Sequence, residues 1–278
     1  MVKSDFRLYS LNLCDLDDRK NCGNFGNSRC VTLFFFLLKV DVVKEINMVC
    51  FEYKAQGMKS LNELINPTDS GWNLVEEWMR GASNSYEVLP RNPKRADEEL
   101  LRAQITTKSP MGAIIHQTGG ILIDGGWLRI LGSGSAKLNR GIMEWNKGKS
   151  FDKEGEKGGF LLIADDVLGG YFAINAGALG EGIGQVYYFA QDTLQWESLE
   201  CGYSDFIYWT LRGDIRQFYE TFKWKEWAED VQKLDGNQVF SFYPFLWTEE
   251  ARDLRKVDRK AVPIDENYHF TMEFASGR

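Results

Sequence analysis

Apolar and polar positions are punctuated most sharply between residues 158 and 190, GGFLLIADDVLGGYFAINAGALGEGIGQVYYFA. Three apolar blocks, 160–164, 171–175 and 186–190, are separated there by an Asp-Asp turn and two glycine clusters. Short apolar runs bounded by turn residues predict strands, so this stretch reads as the centre of a sheet. Upstream, residues 111–116, 121–123 and 127–131 are further short apolar runs, parted by Thr118-Gly-Gly120 and Asp124-Gly-Gly126. Those triplets are tight-turn chemistry. Residues 195–200 add a strand, because Trp196, Ser198 and Glu200 alternate with Gln195, Glu197 and Leu199.

On either side the period lengthens from two to nearly four. Trp72, Val75, Trp78 and Met79 recur at helical spacing behind the capping candidates Asn66, Thr68 and Asp69. Residues 97–104 read as a short helix with its acids at the N-terminus, where the macrodipole favours them. A polar loop is expected over 132–157. Helices return at Tyr203, with Ser204 as the cap, and continue through 214–222 and 225–234. Residues 239–246 form a last aromatic strand, which Pro244 places at an edge or a bend. This order predicts an α+β fold: a mostly antiparallel sheet with helices packed on one face.

Composition shifts near residue 58. Cys14, Cys22, Cys30 and Cys50 precede that seam and Cys201 alone follows it. Residues 1–57 are therefore expected to be an N-terminal appendage, disordered or arising from a start placed too far upstream. A single α+β domain is expected over 58–248, followed by a charged, solvated C-terminal tail over 249–278. The apolar run 31–40 falls well short of the roughly 20 residues that span a bilayer, so it reads as a buried strand. No paired-cysteine zinc or redox spacing is present, and reduced thiols fit a cytoplasmic protein.

A net charge of −7 argues against a nucleic-acid footprint, which needs a basic surface. The candidate chemistry is thin. Gly177, Gly180, Gly182 and Gly184 lack the dinucleotide order, and a strand follows where a helix N-terminus is needed. Gly148-Lys149-Ser150 resembles the end of a phosphate loop, but Met143 stands where its first glycine belongs. Ser204 misses a nucleophile elbow by one glycine, and His116 has no nucleophile beside it in sequence. No catalytic constellation, metal or cofactor is expected. The binding candidates are Asp165, Asp166, Gly180 and Gly182, with Trp196, Tyr203 and Trp209 from an aromatic content of 14%, most of which periodicity assigns to the core and part of which is expected at the surface.

Four segments carry a resemblance to a bacterial family catalogued as a domain of unknown function: TTKSPMGAIIHQTGGILIDGGWLRILGSG (106–134), GFLLIADDVLGGYFAINAGALG (159–180), VYYFAQDTLQWESLECGYSDFIYW (186–209) and FSFYPFLWT (240–248). More distantly, the order resembles the SUKH superfamily, with its glycine-bounded strand pair, aspartate turn and following aromatic helix. That resemblance implies protein binding, including neutralisation of bacterial toxins; the acidic charge and the short apolar run lead to the expectation of no nucleic-acid and no membrane partner. The first expectation is thus a non-enzymatic interaction module of toxin-immunity type, with about 800 Å² buried per partner. The alternative is a hydrolase or small-ligand enzyme using an acidic pocket around Asp165 and Asp166, with His116 nearby.

Overall fold

A computed structural model describes residues 57–277. The expectations for residues 1–56, namely the appendage, the strand at 31–40 and the four early thiols, lie outside the described residues.

Seven strands form one antiparallel meander in chain order: β1 (Tyr86–Leu89), β2 (Gly120–Ile123), β3 (Leu128–Leu131), β4 (Phe160–Asp166), β5 (Tyr171–Asn175), β6 (Val186–Ala190) and β7 (Gln195–Ser198). The α+β reading holds. β4 and β5 are each buried on both faces at their centre, which explains why their sequences show continuous apolar runs instead of alternation. One irregularity interrupts the ladder: the register of β4 against β5 shifts between Leu162 and Ala164. The Asn146 side chain satisfies the displaced backbone, donating to the Leu162 carbonyl and accepting from the Leu162 amide, both at 2.8 Å.

Register divides the sheet into two faces. Ile121, Ile130, Ala164, Phe172 and Tyr188 share one row, and Leu122, Arg129, Asp165, Tyr171 and Phe189 share the other. The first face packs against a helical layer made of α1 (Leu61–Leu64), α2 (Trp72–Arg80), α3 (Pro93–Ala103), α4 (Pro110–Gln117) and α6 (Tyr203–Arg212). Phe206 of α6 meets Phe172 at a ring distance of 4.9 Å.

Three expectations are corrected. Residues 111–116 form helix α4, not a strand. Ser109 caps it by accepting from the Gly112 amide at 3.1 Å, with Pro110 in the first turn. Nearly the whole helix is buried, so it shows no polar stripe, and a short apolar run of this kind is ambiguous by period. Gly112 is required by close approach, since a Cβ there would lie 2.1 Å from the Thr106 carbonyl oxygen. Within the polar loop 132–157 sits a short helix, α5 (Ile142–Asn146).

The third correction concerns the tail. It does not extend as a solvated arm: β9 (Asp258–Pro263) pairs with β8 (Gln238–Tyr243), and α9 (Ile264–Ser276) buries Ile264, Asn267, Tyr268 and Thr271. This hairpin and helix cover the second face of the sheet. Asn267 donates to the Tyr171 hydroxyl at 3.0 Å, Tyr268 meets the Tyr171 ring at 5.0 Å, and the Phe240 amide donates to the Val167 carbonyl at 2.8 Å. In chain order, α7 (Ile215–Phe218) and α8 (Trp227–Val231) fall between α6 and β8.

Candidate functional site

Asp165 and Asp166 end β4 with no exposed surface. As successive strand residues they point to opposite faces. Asp165 accepts from Arg129 Nε at 2.6 Å and from Arg140 Nη1 at 2.7 Å. The remaining guanidinium nitrogens donate elsewhere: those of Arg129 to the carbonyls of Asp166 and Gln238, and those of Arg140 to the Gly236 carbonyl and the Asn237 side-chain oxygen. Asp166 accepts four hydrogen bonds, from the amides of Leu168 and Gly170 and the hydroxyls of Tyr188 and Tyr219, all within 2.9 Å. Burial pushes its pKa up, and those four donors pull it back. Burial together with this carboxylate holds both phenols well above their ordinary value, so they remain donors. The two aspartates therefore tie layers together on opposite sides of the sheet and form no common pocket.

The other expected residues also disperse. Gly180 and Gly182 lie in the loop leaving β5, at its far end from Asp166; four residue steps of strand put about 14 Å between the two ends. That loop is shaped from within by Asn175, which donates to the Gly180 carbonyl and accepts from the amides of Gly177 and Leu179. Trp196 is half-buried on β7 against Phe189 and Phe160, at 5.3 and 5.9 Å. Tyr203 is buried, and its hydroxyl has no partner. Trp209 packs on Phe218 and Phe206, at 5.1 and 6.1 Å. These three rings belong to the core.

His116 sits on α4, with Nε2 3.2 Å from Asp97 Oδ1 and a buried Nδ1 without a partner. Burial lowers its pKa from 6.5, Arg91 lowers it further, and Asp97 opposes both. The unfolded chain thus takes up this proton at a higher pH than the folded one, and the stability this group contributes is lost as pH falls through about 6.5. Urea midpoints measured from pH 7.5 down to 5 should decline, and His116→Gln should remove part of that decline. Parallel curves for the two proteins would refute the assignment.

What sequence reasoning missed is a contiguous aromatic face on the C-terminal layer. Phe240 and Phe242 of β8 turn inward onto Trp224, at ring distances of 5.3 and 6.1 Å, which sends Tyr243 outward. Beyond the cis Tyr243–Pro244 peptide the chain turns, and Thr248 donates to the Phe245 carbonyl through both its amide and its hydroxyl. Phe245 and Trp247 stack at 4.4 Å with an interplanar angle of 6°. From α9, Phe270 and Phe274 meet this pair, one turn apart: Phe270 lies 5.5 Å from Phe245, and Phe274 lies 5.1 Å from Trp247. Tyr243 is 73% exposed, Phe270 45% and Phe274 40%. The available signal was the FSFYPFLWT run together with an i, i+4 phenylalanine pair, both hidden inside a segment read as strand end and tail.

Clefts offer less. The crevice beneath the aromatic face holds about 10 Å³, room for roughly one water. An open cleft of about 420 Å³ is lined by Leu122, Arg129, Val167, Val231 and Leu234. Each Arg129 nitrogen there already donates to Asp165, Asp166 or Gln238, so this guanidinium has no donor left for a ligand. Another of about 420 Å³ is walled by Arg95, Glu99, Arg102 and Glu144, which pair with one another. Among the described residues no three His, Cys, Asp or Glu side chains gather as a metal site, and no helix is long and apolar enough to cross a membrane.

A family model described as Protein of unknown function DUF2625 matches residues 61–267. An uncharacterized protein of Haemophilus influenzae is 47% identical over 211 residues, covering 76% of this chain and 92% of that protein. The putative uncharacterized protein YbfG of Escherichia coli is 50% identical over 189 residues, 68% of this chain and 86% of its own length. No solved structure matches significantly.

Proposed function

The chain belongs to the DUF2625 family, and we propose that it is a non-enzymatic protein-interaction module, cytoplasmic, whose docking surface is the aromatic face of β8 and α9. The observation that carries this reading is the exposure of that face. Of the eight large hydrophobic side chains exposed among the described residues, Tyr243, Phe270 and Phe274 come together around one stacked pair. Monomeric proteins rarely expose contiguous apolar patches without a binding role, and aromatic side chains dominate interface energetics. The crevice below is too small for a metabolite, which favours a macromolecular partner. Toxin neutralisation is the specific form suggested by the distant SUKH-like order of the sequence. The hydrolase reading has no such observation in its favour, because the hydrogen-bonding positions of Asp165 and Asp166 are taken up inside the protein.

A photo-crosslinking residue placed at Tyr243 or Phe270 tests the surface in cells. One dominant, stoichiometric adduct is expected from each, absent when the same residue replaces the exposed Leu101 on the helical layer. Equal crosslinking from all three positions would count against the face.

A further inference from the structure

The carboxylates around the aromatic face indicate what kind of partner it takes. On α9, Glu266, Phe270, Glu273 and Phe274 fall at i, i+4, i+7 and i+8, one outward stripe in which acids alternate with rings. Asp258 stands directly across the hairpin from Tyr243, and Glu250 follows Trp247 by three residues. All four acids are exposed, and none makes an ion pair among the described residues. Against them the same region holds Lys260, two positions along from Asp258, Arg252, which is closed onto Glu249 at 3.0 Å, and Arg255 and Lys256, which share Asp253 at 2.7 and 3.6 Å. The ring surface is therefore framed by more exposed carboxylates than cations, in a chain whose net charge is already −7.

Resting on the interaction reading above, we propose that the occupant of this face is a basic protein segment, with an aromatic, aliphatic or arginine anchor on the Phe245–Trp247 stack and flanking Lys or Arg side chains opposite Glu266, Glu273, Glu250 and Asp258. Three considerations select this chemistry. An arginine side chain is the cation best suited to a stacked aromatic pair, lying flat over the ring faces while its charge meets the rim. A second copy of this chain is disfavoured, because a two-fold contact through the face sets Glu266 and Glu273 against their own counterparts. An anionic membrane surface would be repelled by the same rim.

Panning a random-peptide display library against the immobilised full-length chain tests both the surface and its chemistry. Enriched peptides should carry net positive charge around an apolar or arginine anchor. Synthesised singly, they should bind Phe270→Ser and the Glu266→Lys/Glu273→Lys pair at least about tenfold more weakly, and should lose affinity with added salt in the native protein only. Far-UV circular dichroism of each variant confirms that these exposed substitutions leave the fold in place. Neutral or acidic winners that still lose binding in Phe270→Ser would overturn the basic partner and leave the face standing. Winners indifferent to Phe270→Ser, or no enrichment at all, would overturn both. A dimer seen by sedimentation and abolished by Phe270→Ser would replace the basic segment with a second copy, and adsorption to phosphatidylglycerol vesicles would replace it with a lipid surface.

Discussion

Asp165→Asn is expected to destabilise the native fold severely at neutral pH, far more than the same change at its neighbour Asp166. Among the described residues, Asp165 is the one side-chain anion that pairs with two guanidinium groups, those of Arg129 and Arg140, which are 2% and 6% exposed. Burial drives Arg129 below its ordinary pKa, and Asp165 is the main group opposing that shift. An asparagine there keeps one acceptor oxygen and turns a donor NH₂ toward the other arginine, stranding a buried charge. Removing one partner of a buried ion pair costs about 3–5 kcal/mol, a large share of the 5–15 kcal/mol that holds a typical domain together. Asp166→Asn makes the internal comparison. Its amide oxygen can still accept from Leu168 and Gly170, and its NH₂ can donate to the hydroxyl oxygens of Tyr188 and Tyr219, so about 1–2 kcal/mol is expected. Urea titrations of the two variants decide the matter. A midpoint for Asp165→Asn at or above that of Asp166→Asn would contradict the ion-cluster account.

The contrast between these neighbours shows what local pattern could convey. Glycines and aspartates at 165–170 announced a turn, and the apolar blocks around them announced strands, because both signals act within a few residues. The partners of Asp165 lie 36 and 25 residues away, and those of Asp166 lie up to 53 away, so whether the pair faced solvent or core depended on contacts no local pattern encodes. The same limit applied to the aromatic surplus. Trp196, Tyr203 and Trp209 were conspicuous because they are clustered in sequence, yet clustering at sheet and helix periods is what a core requires. The rings that reach solvent, Tyr243, Phe270 and Phe274, come from two elements brought together by the hairpin. Helix α4 was missed for a related reason: a helix enclosed on all sides loses the polar stripe by which helices are recognised.

Ending the chain after Thr248 is expected to abolish cooperative folding, although the 30 residues removed look like a polar arm in the sequence. The charged run EEARDLRKVDRK conceals a strand whose side chains are mostly exposed, since β9 lies at an edge and takes its apolar support from β8. Without it all six residues of β8 lose their partners. The helix that follows buries Ile264 and Tyr268 together with two polar residues, Asn267 and Thr271, so an apolar count understates its role. Each fully buried large side chain is worth about 1.5–3 kcal/mol, and the truncation also uncovers Tyr171 and Val239. Two charged clips go as well. Asp265 pairs with Lys149, which lies 3.9 Å from the Trp145 ring, and Arg259 pairs with Asp230 while lying 4.3 Å from the Trp224 ring. A shortened chain should be insoluble, or should bind a hydrophobic dye and lack a sharp melt, as expected when packing on the second sheet face is lost. A cooperative thermal transition near that of the full chain would instead restore the picture of a solvated tail and detach Phe270 and Phe274 from any structural role.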